Sequence, residues 1–269
     1  MWNKYYTLLS DRNIGIVTKQ EQLKIKNTRV AVAGLGGIGS PVCELLARTG
    51  IEYFHILDHG TFEPTNLNRQ IFCYNNTNGR YKTDVTEDFL LRINPDIKIK
   101  KFRLLTEENI SDFVEQIDII VLAVDALIPI ILLSRKSKEM NIPLIEGWAL
   151  LYGNVRVFNG ETPSLEEVYE FPTTGKSVED IPEELQKELL TGSIYKAVQS
   201  MDGLYDDYPS EAHTRMEEEK TGPTLAPFVW LTSVLMTIEV LKIILKRGKQ
   251  ALAPEFITFD PLNYRLLER

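Results

Sequence analysis

Residues 31–40, AVAGLGGIGS, follow the apolar run TRVAVA and lead into a stretch with helical spacing. A short apolar run, closely spaced glycines and then a helix is the order of a buried strand turning tightly into a crossover helix. Gly34, Gly36 and Gly39 fall in the G-x-G-x-x-G pattern, with Gly37 extra. The first glycine permits the tight turn, the second lets backbone approach a phosphate, and the third lets helix and strand pack closely. Free N–H groups at the helix start attract negative charge. All four glycines are therefore candidate nucleotide-binding positions. By themselves they suit the pyrophosphate of NAD and the phosphates of ATP equally.

Outward from this turn the pattern repeats. Residues 29–33 (RVAVA), 53–57 (YFHIL) and 118–124 (DIIVLAV) are short apolar runs separated by helical-length stretches, as in buried parallel strands. A helix is expected over 40–49, where Pro41 suits a first turn and Gly50 follows the end, and another over 82–92, before Asn94-Pro95. A third closes at 134–141. PLIEG reads as a strand, and GNVRVF continues the sheet antiparallel, since no crossover separates the two. The run LAPFVWLTSVLMTI, 225–238, falls short of the roughly 20 residues of a membrane span and is expected to be a buried helix. FITF near the end reads as a last strand. The expected fold class is α/β, a doubly wound, mostly parallel, Rossmann-like sheet continued by antiparallel strands and carrying an acidic insertion. A single domain is expected over 1–269, with 1–28 a helical amino-terminal arm.

The chain has 269 residues, 43% of them hydrophobic, and a net charge of −8. Residues 160–222 hold 16 acidic and 5 basic side chains, whereas the rest holds 22 and 25. That acidic stretch, broken by proline and glycine, is expected to be a crossing segment or insertion. The balance argues against a nucleic-acid partner, which needs basic stripes. Two cysteines, Cys43 and Cys73, and no CxxC pair exclude a four-ligand structural zinc site. The amino terminus lacks the apolar core of a signal peptide, so a cytoplasmic location is expected, with no membrane.

Asp58, 19 residues after Gly39, stands at a strand end where a carboxylate accepts hydrogen bonds from ribose hydroxyls. The choice between nucleotides comes from residues 64–70, PTNLNRQ. A nicotinamide enzyme has no need of an arginine just past the ribose carboxylate, whereas transfer at a phosphate needs cations where charge builds on the leaving group. Arg69 and Lys82 meet that need. Asp125, at the end of the third of these strands, is a hard ligand suited to Mg²⁺.

The order GLGGIGS, ILD, NLNRQ, a lysine ahead of RINP, and an aspartate after DIIVLAV resembles the ThiF/MoeB/HesA family, relatives of the ubiquitin-activating enzymes. The resemblance continues through IPLIEGWALLYGNVRVF and GPTLAPFVWLTSVLMTIEVLKIILKRGK. It implies that the glycine loop holds ATP, that Asp58 holds the ribose, and that Asn66, Arg69, Gln70 and Lys82 contact the phosphates, with Asp125 organising magnesium. It further implies a homodimer in which Arg12 enters the partner's site. The implied reaction is adenylation of a carboxylate with release of pyrophosphate. The usual substrate is the glycine-ended tail of a small ubiquitin-like or sulfur-carrier protein, and some members adenylate a peptide or a modified tRNA base.

Three departures from the family stand out. The zinc-binding CxxC pairs are absent, 160–222 contains no cysteine to carry an acyl group onward, and Gly60 replaces a second acidic residue common after the ribose aspartate. Cys43 is expected to pack in the core, and Cys73 to be structural. His213 is expected to be a solvated loop residue, and the acidic segment to be a candidate for recognising a basic partner surface or folding over the substrate tail. Two rivals remain: an NAD-dependent oxidoreductase, and a non-catalytic subunit that docks a ubiquitin-like protein.

Overall fold

The computed structural model describes residues 2–199, 208–217 and 222–268. The chain opens with helices α1 (Lys4–Leu9) and α2 (Lys19–Asn27), then strand β1 (Arg29–Ala33), α3 (Gly39–Thr49), β2 (Tyr53–Leu57), α4 (Lys82–Ile93) and β3 (Lys98–Phe102). It continues through α5 (Ile110–Phe113), β4 (Ile119–Leu122), α6 (Leu127–Met140), β5 (Leu144–Glu146) and β6 (Gly153–Phe158). Helices α7 (Leu165–Val168), α8 (Glu183–Gln199), α9 (Ser210–Glu217) and α10 (Ala226–Leu245) follow, and strands β7 (Ile257–Asp260) and β8 (Arg265–Glu268) close the chain.

These strands form one sheet in the order β3-β2-β1-β4-β5-β6-β7-β8. Neighbours from β3 to β5 pair parallel, and β6 to β8 are joined antiparallel. The fold is thus the mostly parallel α/β sheet with antiparallel continuation that the sequence pattern predicts. One strand differs. The run before Asp125 is the fourth strand, not the third, because Lys98–Phe102 pairs with β2 as the sheet's outer edge. KIKKF puts lysines at three of its five positions, which gives an exposed edge its protection against further pairing but hides the strand from a hydrophobicity pattern.

Side-chain alternation divides the core between the two faces of the sheet. Val30, Val32, Ile119 and Val121 join one cluster, capped by α3 and α10, and Ala31, Ala33, Ile120 and Leu122 join the other, capped by α6. A one-residue slip of β1 would exchange its alanines and valines between clusters of different depth, so the register is fixed by volume.

The amino-terminal helices pack onto the end of α3. Tyr6 is fully buried, its hydroxyl donating to Gly50 O at 2.8 Å and accepting from Gln22 Nε2 at 3.0 Å. Gly50 has φ +110°, and a Cβ there would lie 2.5 Å from the Tyr6 hydroxyl, so only glycine ends α3 here. Helix α10 is longer than the apolar run suggests. At 20 residues it is long and apolar enough to cross a bilayer by those two measures. One face is nevertheless built into the protein, with Val229, Met236 and Val240 in the first cluster. The buried Glu239 carboxylate on the same helix is paired with Lys242 at 2.6 Å.

The first part of the acidic segment is tied to the body. Leu165, Tyr169, Phe171, Val178 and Ile181 join the second cluster, so its apolar residues are core positions spaced too irregularly for a helical or strand period to show. Arg135 of α6 clamps this stretch: its guanidinium donates to both Glu166 oxygens at 2.8 Å and to the carbonyls of Thr173 and Lys176 at 2.7 Å. Residues 200–207 and 218–221 of the segment lie outside the described residues.

Burial opposes ionisation of Glu166, but the hydrogen bonds from Arg135 and Thr173 outweigh it and hold the carboxyl below the usual glutamate range. A depressed folded pKa gives stability that is present above the unfolded value and is lost as pH falls through the folded one. Glu166→Gln should therefore lower unfolding free energy by about 1–3 kcal/mol at neutral pH. Urea titrations should show that difference shrinking as pH drops below the ordinary glutamate range; a gap that persists in acid would mean that charge is not what the clamp uses.

Candidate active site

The carboxyl ends of β3, β2, β1, β4 and β5 open into one cavity of about 710 Å³. Its floor lies at the topological switch point, where the chain leaves β1 for β2 on one side while β4 lies on the other. Gly34 makes the turn possible. Its φ is +89°, and a Cβ would sit 2.2 Å from Ala123 O. Gly39 starts α3 so close to that turn that a Cβ would lie 1.8 Å from Gly34 O. Gly37 backs onto Val229 of α10, with 2.9 Å between its would-be Cβ and Val229 Cγ1.

Gly36 differs. A Cβ there would meet only Gln70 Nε2, at 3.7 Å, so nothing in the chain itself requires glycine. The space it leaves is cavity space, the room a phosphate needs to reach the backbone. The N-cap of α3 is Ile38, which has no side-chain cap. In the first turn Ser40 N donates to Gly36 O at 3.3 Å and Pro41 has no N–H, which leaves the Gly39 N–H for an anion.

Around this floor stand the polar residues singled out in the sequence. Asp58 follows β2; one of its oxygens accepts from Leu35 N at 2.8 Å and the other from Gly60 N at 2.7 Å. Gly60, without an acid of its own, thus orients the neighbouring carboxylate through its backbone. Lys82 opens α4, with its ammonium 4.0 Å from Asp58 Oδ2. Asn66 caps its own turn, its Oδ1 accepting from Glu63 N at 3.2 Å. Arg69 donates to Thr65 O at 3.0 Å and to Asn68 Oδ1 at 2.7 Å. Among the described residues it has no carboxylate partner, and its backbone carbonyl takes the indole N–H of Trp230 at 2.8 Å.

Gln70 is 6% exposed, and its Oε1 has no hydrogen-bond partner among the described residues. A buried acceptor left open beside an empty glycine position marks space shaped for a ligand or water. Asp125, on the loop after β4, lines the cavity and is exposed. Arg12 is placed elsewhere: it sits on an exposed 3₁₀ turn and is not part of this chain's cavity wall.

Several lining residues were not singled out in the sequence. Arg103, just after β3, stacks on the Tyr81 ring at 3.5 Å. Leu104 and Leu105 follow it. At the other end, from the end of β5 onward, lie Glu146, Trp148 and Leu150, with Tyr208 and Gly222 of the acidic stretch and the Pro223 and Thr224 that follow it. Part of that stretch is therefore wall. The missed strand β3 is the reason Arg103 and the leucines were overlooked. The ends of β5 and β6 were read as sheet alone.

The remaining candidates resolve simply. Cys43 is fully buried in α3, and burial pushes its thiol up. Cys73 is 6% exposed and donates to Glu63 O at 3.4 Å. Burial raises this thiol too, against the opposing pull of Lys82 and Arg69, so it rests protonated. His213 corrects the expectation of a solvated loop residue: it lies on α9, half-buried, with Nε2 3.0 Å from Tyr208 O. Proximity to the ordered turn at Tyr208 is what removed it from solvent.

A glycine turn on a switch point, a carboxylate at the next strand end and two cations beside a helix N-terminus define a nucleotide-binding α/β protein. The chain belongs to the ThiF family, whose profile matches residues 10–269. Adenylyltransferase and sulfurtransferase MOCS3 of Culex quinquefasciatus is 37% identical over 142 residues, 52% of this chain and 32% of that protein. Ubiquitin-like modifier-activating enzyme 5 of Caenorhabditis elegans is 37% identical over 117 residues, 43% of this chain and 27% of that one. The chain spans about a third of the length of these curated relatives. Among solved structures, E. coli MccB with ATP superposes with a TM-score of 0.65 at 23% identity, covering 93% of this chain and 65% of that one. PaaA gives a TM-score of 0.68 at 20% identity over 98% of this chain and 78% of its own. At these identities the likeness is one of fold.

Proposed function

We propose that this chain is an ATP-dependent adenylyltransferase that activates a carboxylate, the carboxyl terminus of a small ubiquitin-like or sulfur-carrier protein or of a peptide, with release of pyrophosphate. The observation that carries the reading is the set Arg69, Lys82 and Asp125 on one cavity with the glycine turn. Asp58 takes the ribose and Leu104 and Leu105 flank the base. The triphosphate then runs over the open start of α3 toward Arg69 and Lys82. A carboxylate oxygen attacks the α-phosphorus, the new O–P bond forms as the bond to the β-phosphate oxygen breaks, and the electron pair leaves with pyrophosphate. No protein nucleophile is used, and both cysteines rest buried and protonated. The chain's part is to align the two anions and neutralise the leaving group.

Mg²⁺ fits the donor set. No group of three or more His, Cys, Asp or Glu side chains gathers among the described residues, but Mg²⁺ is commonly held by one or two carboxylates together with phosphate oxygens and water. Asp125 is that carboxylate. A bound Mg²⁺ would neutralise phosphate charge at the leaving group.

A homodimer completes the proposal, with Arg12 reaching the partner's cavity. Trp230, Val234 and Ile238 support it: they recur every four residues on α10 and are 38–43% exposed, an apolar stripe along that helix. The cytoplasm is the proposed compartment, consistent with two unpaired thiols.

Pyrophosphate exchange into ATP, driven by candidate carboxylate peptides, tests the reaction. Asp125→Ala should lower exchange by about 10²-fold or more, in the range seen when one charge-stabilising group is lost. Co-expressed Arg12→Ala and Asp125→Ala chains should regain activity that neither has alone, since the mixed dimer holds one intact composite site. NAD binding in preference to ATP would instead revive an oxidoreductase.

A further inference from the structure

The cavity is chemically divided. Its three lining lysine and arginine side chains, Arg69, Lys82 and Arg103, stand on the side of β1, β2 and β3. Past β4, beyond Asp125 at the strand end, the described wall is uncharged: Pro129, Ile130, Trp148, Leu150 and Tyr208, with Glu146 the one further ionisable carboxyl there. Glu146 is not available to a ligand. It is 2% exposed and ion-paired with Arg156 at 2.6 Å, and the Arg156 guanidinium lies 3.9 Å from the Phe256 ring centre.

That buried pair has an unusual output. Tyr169 Oη lies 3.1 Å from Glu146 Oε1 and 2.8 Å from Trp148 Nε1. An indole N–H only donates and an ionised carboxylate only accepts, so the phenol must accept from Trp148 and donate to Glu146. Burial, reinforced by the adjacent carboxylate, pushes the phenol well above its ordinary value, and it keeps the proton this chain of bonds requires. The backbone of Trp148 is held as firmly. Its N–H donates to Asn154 Oδ1 at 2.8 Å, and its carbonyl accepts from Asn154 Nδ2 at 2.9 Å. Asn154 is fully buried.

An ion pair buried in this way adds little net stability compared with apolar packing. What it provides here is a single orientation for one partly buried indole on the cavity wall. A rigid aromatic face costs little entropy on binding and grips peptide planes and apolar side chains.

We infer that Trp148 is a specificity-determining residue of the acyl end of the cavity, held in place by Tyr169, Glu146 and Arg156 as positioning residues. It selects a carboxylate whose adjoining residues are uncharged and apolar. The inference rests on the adenylation reading, because that reading places the substrate's carboxylate at the phosphates and its tail past β4. A charged residue next to the carboxylate would enter a wall that, beyond Asp125, offers no free counter-ion among the described residues, and would lose hydration without compensation.

The test uses synthetic heptapeptides with free carboxyl ends, differing in the penultimate residue: leucine or alanine against aspartate or lysine, with an amidated control. Two readouts are taken on the full chain: the peptide KM in pyrophosphate exchange at saturating ATP, and the indole ¹H–¹⁵N resonance of Trp148, assigned by its loss in Trp148→Phe. Leucine- and alanine-bearing peptides should move that resonance, and aspartate- and lysine-bearing ones should bind about tenfold or more weakly. Tyr169→Phe, which removes only the hydroxyl, should raise the peptide KM about five- to tenfold and leave the ATP KM within about twofold. Equal binding of charged and uncharged peptides, or an unchanged peptide KM in Tyr169→Phe, overturns the inference. A shifted resonance with no exchange keeps the pocket and overturns the reaction. If neither appears, both fall.

Discussion

Replacing Gly39 by alanine should both destabilise the chain and abolish tight ATP binding. The new Cβ would lie 1.8 Å from Gly34 O and 2.9 Å from Gly34 C, which are backbone atoms with no rotamer to escape into. Helix α3 would have to back away from the turn. Overpacking typically costs 1–3 kcal/mol and more where the neighbour is fixed, so a loss of about 3 kcal/mol or more is expected. For a chain of this size that lowers the melting temperature by about 6–12 °C. Moving α3 also carries its open N-terminus away from the phosphates, and ATP affinity should fall more than about tenfold.

Gly36→Ala is the informative contrast. Its Cβ would meet only Gln70 Nε2 at 3.7 Å, so the melting temperature should stay close to that of the parent while ATP affinity drops. Calorimetry on the two variants separates the glycine that serves packing from the glycine that serves ligand. If Gly36→Ala bound ATP normally, the phosphate path over this turn would be wrong.

That contrast also shows what a sequence pattern conveys. G-x-G-x-x-G marks a turn, but only the surroundings reveal that Gly34 answers to Ala123, Gly39 to Gly34, and Gly36 to nothing in the protein. The strands of the interior were legible because β1 and β4 are apolar on both faces, as buried parallel strands must be. Lys98–Phe102 was illegible for the opposite reason. An edge strand pays no hydrophobic penalty for lysine, so its composition imitates a loop. The oversight had consequences at the site: without β3, Arg103, Leu104 and Leu105 had no reason to stand beside Asp58.

That Asp58, Lys82 and Asp125 share one cavity was legible through their order along the chain, because each follows a strand or opens a helix, and parallel strands bring those ends to one side. Trp148 and Tyr169 were not. Their relation is a contact between residues 21 apart, a hydrogen bond and an edge-to-face ring contact, with Glu146 and Arg156 behind it, and neither spacing nor residue type advertises such an arrangement. The acidic segment was partly misjudged for a related reason. Its excess charge draws attention to the exposed side chains, while Leu165, Tyr169, Phe171, Val178 and Ile181 are set at irregular intervals along a path that follows the body's surface.

Arg69→Ala should produce the largest catalytic loss with the least structural change. Among the described residues the guanidinium hydrogen-bonds only within its own loop, to Thr65 O and Asn68 Oδ1, so its removal leaves none of their charges buried and unpaired. Folding stability should stay within about 0.5 kcal/mol, as for surface substitutions away from buried networks. The loop itself remains anchored by the Trp230 indole on the Arg69 backbone carbonyl, which a side-chain change does not touch. Loss of one preorganised charge at a leaving group costs about 10²–10³-fold, and that is the fall expected in kcat/KM for pyrophosphate exchange. Arg69→Lys should recover only part of it, since an ammonium cannot present the paired N–H donors of a guanidinium to two phosphate oxygens. Lys82→Ala should behave differently. Its ammonium lies 4.0 Å from Asp58 Oδ2, so removing it disturbs the carboxylate proposed to take the ribose as well and should raise the ATP KM along with lowering kcat. Steady-state exchange at varied ATP distinguishes the two patterns. Arg69→Ala within about threefold of the parent would show that the leaving group is neutralised elsewhere, and the role given to the loop at 64–70 would then have to be abandoned.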